Sequence, residues 1–208
     1  MKLVVLGANG RTGRHVVELA LERGMEVTAV VRSEAKIPQL RHERLSVAVG
    51  DPCDPAFLKG VLRGQDALIS TLGGRRPTKA ATSIYPRSAE AIVEAAWDTG
   101  LNRVLVTSTA LLFQDQTVLG EVLRFMVPNI VSSAGQMEAT LKSSGLNWTS
   151  ARPGFLKDTE QTTYRARKDR LAEKGTSVSR RALASFLLDA IDQPETKGAA
   201  YGVSQMAA

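Results

Sequence analysis

Short, continuous apolar runs recur along the chain at Leu3–Leu6, Val27–Val31, Leu45–Val49, Ala67–Leu72, Val104–Thr107 and Trp148–Ala151. They are rich in β-branched residues and do not alternate with polar ones. That pattern predicts strands covered on both faces, as in a parallel sheet. Between them the apolar spacing turns helical, at Thr12–Arg23, Pro55–Leu62, Thr82–Asp98, Ser132–Ser143 and Arg180–Asp192. Gly24, Gly64, Gly100 and Gly145 stand where helix-ending glycines belong. Strand and helix in alternation predict an α/β fold: a Rossmann-like, doubly wound parallel sheet in a single domain spanning 1–208.

Two stretches break this rhythm. Residues 109–131 are unusually apolar and follow the fifth strand, whereas 154–178 are polar and turn-rich and follow the sixth. Loops at the carboxyl ends of parallel strands form the ligand crevice, so both are candidate substrate walls. The first reads equally well as a core helix with an irregular lead-in.

Composition narrows the class without changing it. The 208 residues are 43% hydrophobic and 23% charged, ordinary values for a soluble globular protein. No apolar run approaches the roughly 20 residues that span a bilayer, and the N-terminus lacks a signal-peptide pattern, so the expectation is a cytoplasmic protein without a membrane partner. A single cysteine, Cys53, excludes an intramolecular disulfide and any multi-cysteine metal site, and no metal is expected. The net charge of +6 comes from scattered residues, with small clusters at Arg75–Arg76, Arg165–Lys168 and Arg180–Arg181. With little aromatic interleaving and no accompanying motif, nucleic acid is not the expected partner. Attraction for anionic small molecules accounts for the charge as well as a solvated basic surface does.

The most informative motif is Gly7-Ala-Asn-Gly-Arg-Thr-Gly13, which follows the first strand and opens the first helix. Gly7 permits a tight turn, Gly10 lets the backbone approach a pyrophosphate, and Gly13 lets the helix pack close to the sheet. The helix N-terminus offers free N–H groups and its positive dipole end to phosphates. Asn9, Arg11 and Thr12 complete the loop. The spacing is GxxGxxG, and its place between a strand and a helix at the chain start predicts a dinucleotide site, with a structural strand–helix turn as the alternative.

The end of the second strand selects the dinucleotide. A site for NAD wants a carboxylate there, to accept from the ribose 2′-hydroxyl. This chain has Arg32 and Ser33, with Lys36 nearby, which suits a 2′-phosphate and predicts NADP(H). Asp51, followed by Pro52, ends the third strand where a carboxylate accepts from the adenine amino group. Leu72, Gly73 and Gly74 end the fourth, leaving room for the nicotinamide-side ribose.

Taken together, GANGRTG, VVR, VAVGD, LISTLGG, VLVTSTA, MEATLKSSGLNWTSARPG and VSRRALASFLL resemble the atypical short-chain dehydrogenases/reductases. Within them the chain is most similar to the small reductases of the biliverdin reductase B, or flavin reductase, type, with NmrA-like proteins as neighbours. The resemblance covers Met1 to about Gln205. It implies NADPH as hydride donor and a flat conjugated acceptor, a flavin or a linear tetrapyrrole. It places the pyrophosphate at Gly10, Arg11 and Thr12, the 2′-phosphate at Arg32, the adenine at Asp51, and the nicotinamide ribose at Leu72 and Gly73. Thr107, Ser108, Thr109 and Ala110 would lie beside the nicotinamide, with Pro153 and Gly154 closing the cofactor set. Ser108 and Thr109 are the catalytic candidates, Thr109 matching a serine of the mammalian members that contacts cofactor and substrate.

Two departures shape the expected chemistry. The usual Tyr-x-x-x-Lys pair is absent: none of Tyr85, Tyr164 and Tyr201 has a lysine four residues later, and Tyr85 is followed there by Ala89. Gly154 occupies the position of a histidine found in the mammalian enzymes. His15 reads as a helix-surface residue. Hydride transfer to a conjugated ring tolerates both losses, because the proton can come from water and catalysis rests on holding two rings face to face. Leu111, Leu112, Phe113, Phe125 and Phe155 are the candidate apolar wall, with core packing as the alternative. Arg152, Arg165 and Arg167 are candidates to meet acceptor carboxylates or a phosphate. The resemblance points to a monomer. A non-catalytic NADP(H) sensor and a reductase of another small molecule, such as a quinone, stay open beside the flavin or bilin reductase.

Overall fold

The computed structural model describes residues 1–33, 41–74, 76–114, 118–171 and 176–205. Six strands occupy the positions the apolar runs predict: β1 (Lys2–Leu6), β2 (Glu26–Val31), β3 (Leu45–Val49), β4 (Ala67–Ser70), β5 (Arg103–Thr107) and β6 (Asn147–Pro153). They pair in parallel in the order 3-2-1-4-5-6, so their carboxyl ends share one edge and the order reverses between β1 and β4. That reversal is where a doubly wound sheet opens its crevice.

The helices are α1 (Arg11–Glu22), α2 (Pro55–Leu62), α3 (Lys79–Thr82), α4 (Ile84–Thr99), α5 (Val118–Met126), α6 (Pro128–Ser143) and α7 (Arg180–Asp189). Helices α1 and α7 pack together over one face of the sheet, and α2, α4 and α6 over the other. Leu3 and Val5 enter the first core and Val4 and Leu6 the second, which is why the strand reads as an uninterrupted apolar run. All four glycines expected to end helices have positive φ, between 69° and 78°.

The structure corrects the sequence reading in three places. First, 154–178 is not simply a loop: it carries β7 (Phe155–Lys157), β8 (Tyr164–Lys168) and the start of β9 (Ser177–Ser179). Strand β10 (Ala199–Gln205) runs parallel to β6, and β8 adds antiparallel to β10, extending the sheet by two strands; β7 and β9 form a separate parallel pair. Second, α6 begins at Pro128, four residues before the predicted Ser132. Proline at the first helical position is a favourable start that the apolar period does not register. Third, α5 is not a core helix: Val118, Val122, Phe125 and Met126 are exposed.

Arg103 brackets the lower end of β5. Its guanidinium donates to the carbonyls of Asn147, Ala190 and Ile191 and to the hydroxyls of Thr149 and Thr196. Burial brings its pKa down to about 10, so it remains a cation at neutral pH.

Candidate functional site

The glycine loop leaves β1 at Gly7, whose φ of 76° suits glycine. The Gly10 N–H donates to the Gly7 carbonyl at 2.7 Å and closes the turn. A Cβ on Gly13 would stand 2.1 Å from that same carbonyl oxygen, so no side chain fits there. The Thr71 hydroxyl lies 3.1 Å from the Leu6 carbonyl and 3.3 Å from that of Gly7, tying the end of β4 to the loop. The Arg14 guanidinium donates twice to the Asn9 Oδ1, at 2.8 and 3.2 Å, and holds that side chain to the first turn of α1.

Helix α1 starts from Gly10 with no side-chain cap and no acidic residue in its first turn. An uncapped start leaves backbone donors for water or an anion and keeps the positive dipole end unopposed. With small residues on the approach, this loop fits the pyrophosphate of a dinucleotide.

The neighbouring strand ends flank that loop. Arg32 is exposed at the end of β2, with Ser33 beside it; Lys36 lies outside the described residues. After β3 the Asp51 carboxylate accepts from the Cys53 N–H at 3.0 Å, with Pro52 buried beneath the turn. Burial, and after it the charge of Asp51, raises the Cys53 pKa; Arg87 and Arg32 act in the opposite sense. Arg87, on α4, is thus a second cation near this turn, and nothing in the local sequence announces it.

After β4, Leu72 is half-buried and Gly73 lies exposed on the rim. A Cβ on Gly73 would stand 3.2 Å from the Tyr85 hydroxyl, and one on Gly74 would stand 3.0 Å from the Ala81 carbonyl oxygen. Tyr85 therefore underlies this turn, and burial raises its pKa, keeping it a neutral phenol.

At β5 the two catalytic candidates differ. The Thr109 Oγ1 accepts from the Leu111 N–H at 3.3 Å and starts a short 3₁₀ turn over Ala110–Leu112. The Ser108 N–H donates to the Ala151 carbonyl at 2.8 Å, while its buried Oγ has no partner among the described residues. Thr107 reaches the Ser70 carbonyl at 3.4 Å. Ser108 is thus the hydroxyl with unused hydrogen-bonding capacity.

The expected acceptor-side residues are placed unevenly. Leu111 and Leu112 are half-buried at the 3₁₀ turn, and Phe155 and Phe125 are exposed, the latter at 88%. Phe113 is a correction: at 2% exposure it is interior, with the Arg152 guanidinium 4.6 Å above its ring. Arg152 is the second correction, since its Nε and Nη2 both donate to the Glu138 carboxylate of α6, and Ser150 donates to the same carboxylate at 2.7 Å. A guanidinium so engaged is a fixed part of the wall. Arg165 and Arg167 lie on the added strand β8, opposite Ser204 and Gly202, not in a loop after β6.

Pro153 ends β6 and is buried, whereas Gly154 answers to packing. A Cβ there would stand 2.2 Å from the Thr176 carbonyl, which accepts from the Phe155 N–H at 2.8 Å. The join between β7 and β9 excludes a histidine at this position. His15 lies on α1, its Nδ1 3.4 Å from Glu18.

Among the described residues no group of histidine, cysteine or acidic side chains is arranged to hold a metal. No described helix is long and apolar enough to cross a membrane.

Comparison with known proteins agrees with this geometry. The profile of a family described as NAD(P)H-binding matches residues 7–194. The chain is 28% identical over 211 residues to YhfK of Bacillus subtilis, described as an uncharacterised sugar epimerase, covering 99% of this chain and 94% of that one. It is 24% identical over 212 residues to an NAD(P)H azoreductase of Xenophilus azovorans, covering 97% and 67%. Among solved structures, a candidate NADH-flavin reductase of Streptococcus pneumoniae superposes with a TM-score of 0.80 at 25% identity, covering 99% of this chain and 100% of that one. A short-chain dehydrogenase/reductase of Veillonella parvula, solved with NADP, superposes with a TM-score of 0.81 at 23% identity, covering 98% and 94%; that likeness is one of fold.

Proposed function

Because the chain belongs to the NAD(P)H-binding family, we propose that it is an NADPH-dependent reductase whose acceptor is a flat conjugated molecule, a flavin such as FMN or a biliverdin-type tetrapyrrole. The observation that carries the choice of cofactor is the end of β2: an exposed Arg32 with Ser33 directly beside it, at the place where a carboxylate would select NAD. A planar guanidinium binds a 2′-phosphate through paired, charge-assisted hydrogen bonds. The azoreductase and the candidate flavin reductase among the similar proteins support reduction of a conjugated acceptor.

Bound NADPH supplies a hydride, which carries two electrons to the acceptor ring while a proton comes from water. The chain's own contribution is binding and orientation. The glycine loop and the start of α1 hold the pyrophosphate, Arg32 and Ser33 the 2′-phosphate, and Asp51 the adenine. Gly73 and Gly74 keep the rim low beside the ring that reacts. Ser108 offers a donor at the end of β5, and Leu111, Leu112 and Phe155 exclude water from one side of the acceptor. No tyrosine–lysine pair is needed, since alignment of two rings supplies most of the rate. In this reading the protein works as a cytoplasmic monomer on a small molecule.

An acceptor screen at fixed NADPH tests the reading. NADPH oxidation above background with FMN, biliverdin or a quinone is expected, NADPH serving better than NADH. Tight NADPH binding without turnover of any acceptor overturns it in favour of a sensor.

A further inference from the structure

The segment after β7 carries a carboxylate that serves two arginines at once. Asp158 lies 2.5 Å from the Arg180 guanidinium through one oxygen and 3.5 Å from that of Arg11 through the other. The two contacts differ in kind. The Arg180 side chain, at the start of α7, is only 8% exposed, so its charge depends on Asp158. The Arg11 side chain, at the start of α1, is 74% exposed, and a long, exposed ion pair of that sort is weak. Asp158 is therefore anchored by Arg180 and only loosely holds Arg11.

Three more contacts fasten the same segment. Arg181 lies 3.9 Å from Glu160, Ser179 donates its hydroxyl to the Gln161 carbonyl at 2.5 Å, and Gln205 donates to the Thr163 carbonyl at 2.8 Å. Residues 158–163 thus form a strap fixed to α7 and β10, and Asp158 is its contact with the phosphate loop.

We propose that Asp158 is a positioning residue that parks Arg11 beside the phosphate loop and releases it to the pyrophosphate of the bound dinucleotide. The inference rests on the reading of this loop as an NADPH site. Arg11 has one exposed guanidinium, held by Asp158 until a bound pyrophosphate would compete for it. A carboxylate with a buried partner keeps its charge when Arg11 turns away, so the exchange leaves no ion uncompensated. Its cost is that dinucleotide binding must first break the Arg11–Asp158 contact, which lowers affinity.

Fluorescence titration of NADPH into the protein, with no acceptor present, tests this. Asp158→Asn keeps the shape and an acceptor oxygen for Arg180 but removes the charge. It is expected to tighten NADPH binding about fivefold at low salt, with the gain fading as the Debye length contracts. In an Arg11→Met background the same substitution is expected to change affinity less than about twofold, because no arginine is left to release. Damage to the fold would weaken binding, so tightening separates positioning from a structural role. Should Asp158→Asn fail to fold, the paired Asp158→Asn/Arg180→Met variant removes the buried charge with its partner and is titrated instead. Unchanged or weaker binding in the folded variant, or equal tightening in both backgrounds, overturns the proposal. Failure of the unaltered protein to bind NADPH overturns the cofactor reading itself.

Discussion

Arg32 and Arg152 stand in equivalent places, each at the carboxyl end of a parallel strand on the same edge of the sheet, and each is a plausible anion binder by position. The fold treats them oppositely. Arg32 is exposed, whereas Arg152 lies over the Phe113 ring with both ends of its fork on Glu138. What separates them is the neighbouring helix: α6 brings a carboxylate beneath β6. An arginine at a strand end is thus a ligand-binding group only where the next layer leaves it unpaired. Of the two, Arg32 is exposed to solvent and Arg152 is satisfied within the fold.

Three substitutions sharpen this contrast, taken from the largest expected effect to the smallest. Glu138→Ala leaves the Arg152 charge buried without its partner, at an expected cost of about 3–5 kcal/mol. In a chain of this size that lowers Tm on the order of 10 °C, readable by calorimetry. A fall of only a degree or two would mean that Arg152 is solvated after all and free to bind acceptor.

Arg32→Glu should act in the reverse manner. Losing a charge-assisted contact and gaining repulsion is expected to weaken NADPH binding on the order of tenfold or more, with NADH little affected. Thermal stability should stay within about 0.5 kcal/mol, as for an exposed site. Equal losses for the two cofactors would remove the 2′-phosphate assignment.

The smallest effect concerns the turn after β3. Burial and the Asp51 charge both raise the Cys53 pKa, so the thiol is protonated at pH 8 and reacts slowly with iodoacetamide. Asp51→Asn removes the second cause, lowers the pKa and should speed alkylation. The linkage has a definite sign: a raised thiol pKa contributes stability below the unfolded value, and that stability is lost as pH rises through the folded one. A slower reaction in the variant would show that the carboxylate does not face the thiol.

Legibility in the sequence followed the range of each interaction. The six parallel strands and most helices are local periodicities, and the described structure follows them closely. The glycine loop was readable because Gly7, Gly10 and Gly13 answer to constraints within seven residues. Strands β8 and β10 were missed because Tyr164–Lys168 is mostly cationic and Ala199–Gln205 is short of β-branched residues; β10 forms only against β6, and β8 only against β10. Tyr164 became an edge anchor by donating to Asp189 at 2.7 Å, which no local pattern announces.

The sequence by itself determined the order of the six parallel strands and the helices between them, the uncapped glycine turn at the start of α1, and the cation in place of a carboxylate at the end of β2. These are properties of residues close together in the chain. Tertiary structure alone decided which charges are free. It placed Glu138 under Arg152, set Asp158 between Arg11 and Arg180, and enclosed Arg103 in a ring of carbonyls and hydroxyls. Arg11 and Asp158 are 147 residues apart. The physical reason is that a charge's role depends on what lies within a few ångströms of it, and for these arginines those neighbours arrive from distant parts of the chain.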